Sequence, residues 1–161
     1  LWVNMPAKSK MSKPEYIYLD ANKMSIHKDI DKQIKIIAGK FESAEGPVKG
    51  HNVEPIYFDV ELNKDKLFNF KIPATHNTFI YLINGEIKIG SSKHDNVKDS
   101  TLILLTRGED LIVKAKSNAK FLMISGKPIN EEIARGGPFV MNTKAEILQA
   151  VQDYHNGTFV K

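Results

Sequence analysis

Short segments in which apolar and polar residues alternate recur along most of the chain. Apolar residues occupy every second position from Ile56 to Leu62, and Asp59 and Glu61 lie between them. This period of two is typical of a strand with one buried face. Comparable segments predict strands at residues 16–19, 33–39, 55–62, 66–72, 78–83, 86–89, 101–106, 110–115 and 120–125.

Turn signals separate these strands. Asn84-Gly85 offers the backbone freedom that a two-residue hairpin turn needs, so residues 78–83 and 86–89 are expected to pair as a hairpin. Residues 107–110 are expected to close another hairpin. Many short strands joined by turns, with no helix among them, favour an all-β fold: an antiparallel barrel or sandwich.

The strand at residues 78–83 is apolar on both faces. We expect Phe79, Tyr81 and Ile83 to fill one side, and Ile80 and Leu82 the other. One of these faces can fill a barrel, whereas the other needs a second sheet or a partner to cover it.

A helix is predicted only near the end of the chain. Thr143 followed by Glu146 forms a capping-box pattern, and Gly157 supplies a suitable helix end. The apolar positions then recur at helical spacing. They are Ile147, Leu148, Val151 and Tyr154. A helix of about 12 residues is marginal alone in water, so this stripe must dock on something.

Composition narrows the function classes. The 161 residues include no cysteine, which excludes disulfides, thiolate metal sites and a cysteine nucleophile. No apolar run is long enough to span a membrane. The net charge is +4, but Arg107 and Arg135 are the only arginines, so direct nucleic-acid binding is not favoured. The composition fits an intracellular protein.

The histidines are the candidates for chemistry. Of the five, His27, His94 and His155 fall in polar or terminal positions, whereas His51 and His76 flank strands. We therefore expect His51 and His76, with Tyr81, to line the barrel. A metal site would need three or four ligands converging from neighbouring strands, and whether His76 is a ligand or a packing residue is the open question.

Both ends of the chain carry motifs of one known family. The segments "LWVNMPAKSKM" at residues 1–11 and "GGPFVMNTKAEILQAVQDYHNGTF" at residues 136–159 resemble the pirins, which are two-domain cupins. The internal segments "GPVKG", "IYFDVEL" and "THNTFIYLINGEIKIG" occur in the order expected of the pirin C-terminal domain. The resemblance implies a connector at residues 1–14 whose first 13 residues end the N-terminal domain. It further implies a cupin-type barrel (jelly roll) at 15–142 and a C-terminal helix at 143–157.

The resemblance implies that this half holds no metal. Counted back from Gly85, the cupin carboxylate position falls at Asn77 or Thr78, and the His-x-His pair falls near Lys71 and Pro73. We therefore expect no metal ligand, no catalytic residue and no cofactor in this chain. In the family, iron or another divalent metal is held by three histidines and a glutamate of the N-terminal barrel.

The family resembles iron-dependent quercetin 2,3-dioxygenases, and its nuclear members resemble transcription co-regulators. This chain is therefore expected to be a scaffold for the N-terminal half rather than an enzyme by itself. Two alternatives stay open: an interaction module for protein or DNA, and a small-molecule-binding cupin with residual dioxygenase activity through His51 and His76. The family implies a cytoplasmic protein, or a nuclear one in animals.

The expected partner is an N-terminal cupin half, a second copy of the chain, or another protein. The residues expected to make these contacts are Trp2, Ile147, Leu148, Val151 and Tyr154.

Overall fold

Fourteen strands and two α-helices occur in the described residues of the computed structural model, which are 1–49, 52–90 and 96–160. The strands are β1 (Ser25–Lys28), β2 (Lys32–Ala38), β3 (Lys40–Phe41), β4 (Ala44–Glu45), β5 (Ile56–Leu62), β6 (Leu67–Lys71), β7 (Asn77–Asn84), β8 (Glu86–Ile89), β9 (Asn96–Lys98), β10 (Thr101–Leu104), β11 (Asp110–Ala115), β12 (Ala119–Gly126), β13 (Ala134–Gly136) and β14 (Phe139–Met141). The helices are α1 (Ala7–Lys10) and α2 (Lys144–His155), and a 3₁₀ turn covers Ala21–Lys23. Neither helix is both long and apolar enough to cross a bilayer.

The chain forms two compact units. Unit 1 consists of Leu1–Tyr18 together with Ile129–Lys161, and unit 2 is Leu19–Pro128. The domain bounds predicted from the sequence differ from this division, since they place residues 129–142 with the barrel. Whether residues 15–142 fold as one domain stays a prediction.

Two large antiparallel sheets form most of unit 2, in which β3 and β4 also pair as a separate two-stranded sheet. The first has six strands in the order β1-β2-β5-β12-β7-β10, and the second has four in the order β6-β11-β8-β9. Inward-facing apolar side chains of both sheets form one core. Its largest fully buried members are Phe58, Phe68, Phe121, Ile34, Ile36, Leu62, Ile80, Leu82, Ile87, Met123, Val60 and Val113. Burying each such side chain stabilises the fold by about 1.5–3 kcal/mol.

Aromatic rings join the sheets across this core. Phe68 of β6 meets Phe121 of β12 edge-on, with ring centroids 5.6 Å apart. Phe70 of β6 meets Phe58 of β5 in the same manner at 5.0 Å. Edge-to-face pairs at these distances are favourable because the positive ring edge faces the negative ring face.

The expected hairpin at Asn84-Gly85 is wrong. β7 lies in the first sheet between β12 and β10, whereas β8 lies in the second sheet between β11 and β9. The chain therefore passes from one sheet to the other at Gly85, where φ is +91°. The turn at residues 107–110 likewise joins β10 of the first sheet to β11 of the second. Consecutive strands that change sheets in this way are typical of jelly-roll sandwiches.

The strand predicted at residues 16–19 is also wrong. Tyr16, Ile17 and Tyr18 are 92, 61 and 72% exposed and belong to no strand. Their side chains favour strands only where a neighbouring strand offers a surface to pack against. Conversely, α1 forms within the segment that was expected to be a connector.

Unit 1 contains the predicted C-terminal helix. Thr143 Oγ1 accepts a hydrogen bond from the Glu146 amide at 3.2 Å, and Glu146 Oε2 accepts one from the Thr143 amide at 2.7 Å. This reciprocal capping box begins α2 at Lys144, and Gly157 follows its end with φ +71°. A methyl group on Gly136 of β13 would collide with Ile147, so the missing side chain lets α2 approach the β13–β14 hairpin closely.

Candidate functional site

A small cluster of buried polar side chains lies at one end of the unit 2 core. His76 precedes β7, and Thr78 is the second residue of that strand. Ser125, near the end of β12, is paired with Thr78 across the sheet. All three face inward because positions 76, 78, 80 and 82 alternate with outward-facing ones, and the exposed fractions of His76, Thr78 and Ser125 are 5, 8 and 2%.

The cluster is held together through the Ser125 hydroxyl. Ser125 Oγ lies 2.8 Å from Thr78 Oγ1 and 3.3 Å from His76 Nδ1. The second contact is long for a hydrogen bond, so it is the weaker of the two. One hydroxyl can donate once and accept from others, so Ser125 satisfies both neighbours at once.

Burial lowers the pKa of the His76 imidazole below its ordinary value. The charge of Glu54 acts in the opposite direction, and Lys127 lowers the pKa further. These two charges act in opposite directions on the His76 pKa, and Lys127 Nζ and Glu54 Oε1 form an ion pair with each other at 3.5 Å. Desolvation of the charged ring therefore decides the direction, and His76 is neutral at physiological pH.

The cluster does not fit a metal ion. It offers one imidazole nitrogen and two hydroxyls, whereas iron and zinc sites in barrels use several imidazoles and carboxylates. Within residues 1–49, 52–90 and 96–160, no three His, Asp or Glu side chains converge in an arrangement suited to a metal.

The cupin ligand positions counted from Gly85 do not supply ligands. Lys71, Pro73 and Asn77 are exposed, and only Thr78 faces the core. A threonine hydroxyl in the place of a carboxylate lacks the negative charge that holds a divalent ion. Sequence reasoning missed Ser125 as the partner of His76, because residues 121–124 of β12 are all apolar and do not show which face of the strand is inward.

Tyr81, which was expected to line the barrel, lies on the outer face of β7 and is 40% exposed. Phe79 and Ile83 share that outer face, so the core side of β7 is formed by Thr78, Ile80 and Leu82. Strand pleating explains the difference, since residues at odd positions point away from the second sheet. His51, the other candidate for the barrel interior, lies outside the described residues.

His27 bridges two carboxylates rather than joining a site. Its Nε2 lies 3.3 Å from Asp29 Oδ2, and its Nδ1 lies 3.3 Å from Glu42 Oε2. The two ring nitrogens point in different directions, so the carboxylates do not converge with the imidazole on one point. Hydrogen bonds from Lys32 and from backbone amides keep the pKa of Asp29 well below its usual range.

Unit 1 contains an open apolar cleft of about 510 Å³. Its walls come from the extended first residues, from β14 and from the end of α2. Phe139 meets Tyr154 at 6.0 Å and Phe159 at 5.1 Å between ring centroids, which gives the cleft an aromatic wall. Trp2, on another side, is 67% exposed.

The five predicted contact residues differ in exposure. Trp2, Leu148 and Tyr154 are 67, 71 and 65% exposed. Ile147 and Val151 are half-buried, and the buried residue of α2 is Ala150. Trp2 and Tyr154 line the cleft itself, whereas Leu148 does not. Their role in binding a partner stays a prediction.

The family model of the pirin C-terminal cupin domain matches residues 57–160. This chain belongs to the pirin family. A pirin-like protein from Solanum lycopersicum is 37% identical over 165 residues, and one from Caulobacter vibrioides is 33% identical over 161. A crystal structure of quercetin 2,3-dioxygenase from Acinetobacter baumannii matches 98% of the chain with a TM-score of 0.87 and 31% identity.

The pirin match covers a C-terminal half. The chain aligns over 98 and 99% of its own length with the Solanum and Caulobacter proteins, but with only 54 and 57% of theirs. The corresponding share of the Acinetobacter structure is 55%. The expected fold is therefore confirmed as an antiparallel cupin sandwich with one C-terminal helix.

Proposed function

We propose that this chain is a metal-free scaffold that completes a pirin by docking on a metal-binding N-terminal cupin half. The observation that carries the proposal is the combination of the C-terminal pirin match with a core end that has no metal-ligand set in the described residues. In such a protein the redox chemistry belongs to the metal of the N-terminal half. The role of this chain is to cover and position that half.

The cleft of unit 1 supports the docking role. Trp2 and Tyr154 leave large apolar surfaces in water, and large aromatic side chains of this kind dominate the energetics of protein interfaces. Full burial of each would contribute about 1.5–3 kcal/mol. An aromatic cleft of this size fits an apolar element of a partner better than it fits a metal or a charged ligand.

The proposed activity of the complete protein is iron-dependent oxygenation of quercetin or a related flavonol, with transcriptional co-regulation as the second candidate. The first has the closer support, because the Acinetobacter relative carries the quercetin 2,3-dioxygenase name. Residues of this chain take no covalent part in that reaction.

A chimera tests the docking role. The matched C-terminal part of the Acinetobacter dioxygenase is replaced by this chain, and oxygen uptake with quercetin and the melting temperature are measured. We expect the chimera to fold and consume oxygen. Tyr154→Ala and Trp2→Ala should lower the melting temperature by about 2–4 °C for each kcal/mol of lost burial.

The matched control is Tyr16→Ala, which removes a tyrosine of the same unit that is 92% exposed and does not line the cleft. It should leave the melting temperature of the chimera unchanged. Equal melting temperatures for the Tyr154→Ala and Tyr16→Ala chimeras would contradict docking through the cleft. A folded chimera that consumes no oxygen would contradict the scaffold role.

A further inference from the structure

The outer face of the second sheet of unit 2 is rich in lysine. Lys71 of β6, Lys114 of β11, Lys88 of β8 and Lys98 of β9 all occupy outward positions in the strand pattern. Leu67 and Ile112 project from the same side and are 47 and 53% exposed. These six side chains are called the lysine face below.

Strand register brings like charges together on this face. Lys114 lies directly opposite Lys88, and Leu67 lies opposite Lys114 on its other side. Directly opposed residues have Cβ atoms about 4.5–5.5 Å apart, and like charges at that spacing destabilise a sheet. An anionic partner would relieve the repulsion.

The lysines of this face form no side-chain ion pair with another described residue. Elsewhere in unit 2, Lys32 pairs with Asp29, Lys66 with Asp31 and Lys127 with Glu54. For Lys71, Lys88, Lys98 and Lys114, no carboxylate of the described part of the chain lies within 4.0 Å of the ammonium group. Within the described residues, these four ammonium groups are therefore not neutralised by direct ion pairs.

Two carboxylates lie among the lysines on the outer side of this sheet. Glu86 lies opposite Lys98, and Asp110 lies opposite Lys71. A bilayer or a phosphate backbone presents nearly uniform negative charge, which these carboxylates would repel. The outward positions of the four described strands also hold no arginine and no aromatic side chain, the residues that bind bases and phosphates best.

We propose that the lysine face binds an acidic protein segment whose carboxylates meet the lysines and whose apolar side chains cover Leu67 and Ile112. Discrete charges in register, mixed with exposed aliphatic groups, match a partner with discrete charges and apolar side chains of its own. The lysine face shares no residue with the apolar cleft of unit 1, so it offers this protein a second interaction beyond docking on a cupin half.

The test uses the 161-residue chain and a short fluorescein-labelled peptide in which Glu alternates with Leu and Ser. Binding is followed by fluorescence anisotropy. Lys88→Glu/Lys114→Glu should weaken binding by roughly tenfold or more, because attraction becomes repulsion at the centre of the face. Ile112→Ser should weaken it for this peptide but not for a version with Ser in place of every Leu.

The control is Lys23→Glu/Lys28→Glu, which changes the net charge by the same amount at exposed positions before and within β1. It should alter affinity by less than about threefold, since distant surface charges are screened. Circular dichroism and thermal unfolding verify that each variant is folded, and Lys71→Gln/Lys98→Gln is a milder second variant that should also weaken binding.

Four outcomes would overturn the proposal. They are no binding of the Glu/Leu peptide, equal loss in the control pair, tighter binding to vesicles containing phosphatidylserine, and tighter binding to duplex DNA. Either of the last two would assign the face to a different class of partner.

Discussion

His76 is a neutral imidazole in a protein core, and its environment is that of a structural residue. The residue is 5% exposed, and Ser125 is the one side chain of the described residues that is hydrogen-bonded to its ring. No carboxylate of those residues is hydrogen-bonded to the ring to orient it for catalysis. The same residue heads the segment whose sequence first suggested a metal site. At the scale of single residues, the buried environment of His76 indicates its role better than the fact that it is a histidine.

Because burial lowers the pKa of His76, stability should depend on pH. The unfolded state takes up a proton as the pH falls through about 6.5, whereas the folded state does so only at lower pH. Stability should therefore be full above that value and decrease as the pH falls towards the folded pKa. Urea unfolding of wild type and His76→Gln at several pH values on both sides of about 6.5 measures this pH dependence of the unfolding free energy.

His76→Gln should flatten the pH dependence of the unfolding free energy over that range. His155→Gln is the control, because His155 is exposed in α2, and it should preserve the wild-type dependence. If His76→Gln and His155→Gln gave the same slope, the assignment of a neutral buried His76 would be wrong.

At the scale of elements, turns decide the topology. Gly85 carries the chain from β7 to β8 with φ +91°, and β12 has a bulge between Lys120 and Phe121 beside this turn. A methyl group on Gly85 would collide with the Asn118 carbonyl oxygen and lie 2.8 Å from Cα of Ala119. Bulges and positive-φ glycines are the usual means of bending a strand at a sheet corner.

Gly85→Ala should therefore destabilise unit 2. The backbone conformation alone costs about 1–3 kcal/mol, and the collision adds to it. Gly108→Ala is the matched control, because Gly108 has no positive φ and no heavy atom within 4 Å of an added methyl group. Chemical unfolding monitored by tyrosine and tryptophan fluorescence compares the two. Equal stability of both variants would show that the Gly85 corner tolerates a side chain.

The start of α2 gives a second prediction at this scale. Thr143→Ala removes the hydroxyl that accepts from the Glu146 amide, which should lower helix stability by about 1 kcal/mol. Thr143→Ser keeps the hydroxyl and should retain most of that stability. The far-UV circular dichroism at 222 nm during thermal unfolding reports on the change. A Thr143→Ala protein that unfolds like Thr143→Ser would argue against the cap.

The sequence predicted the elements that can be recognised from a local pattern of residues. β5 carries Asp59 and Glu61 between its apolar positions, and α2 begins at its capping box. The pairing of β7 with β12 and β10 was not predictable in this way, because an Asn-Gly turn reads as a hairpin until the second sheet is known. Short strands such as β9 and β13 have three residues each, too few to show a period.

The candidate site was predictable only in part for a similar reason. The inward direction of His76 follows from the alternation along β7, but the Ser125 partner depends on how β12 is registered against β7. Tyr81 was assigned to the wrong face because residues 78–83 are apolar at every position from Phe79 to Ile83, which conceals which side is buried.

At the scale of the whole molecule, the described residues of this pirin chain combine a cupin core end without a metal-ligand set with two exposed surfaces that we propose bind other chains. The cleft of unit 1 is aromatic, whereas the lysine face of unit 2 is charged. The chain matches about half the length of the Solanum and Caulobacter relatives. Under the proposed function, this chain contributes binding, and the metal chemistry belongs to the N-terminal half.

Elemental analysis of the purified chain tests this account most directly. The chain is incubated with excess iron(II) without oxygen and desalted, and iron per chain is measured by inductively coupled plasma mass spectrometry for wild type and His76→Ala. We predict iron far below one equivalent in both proteins, with no difference between them. One equivalent of iron in the wild type that is lost in His76→Ala would contradict a metal-free scaffold.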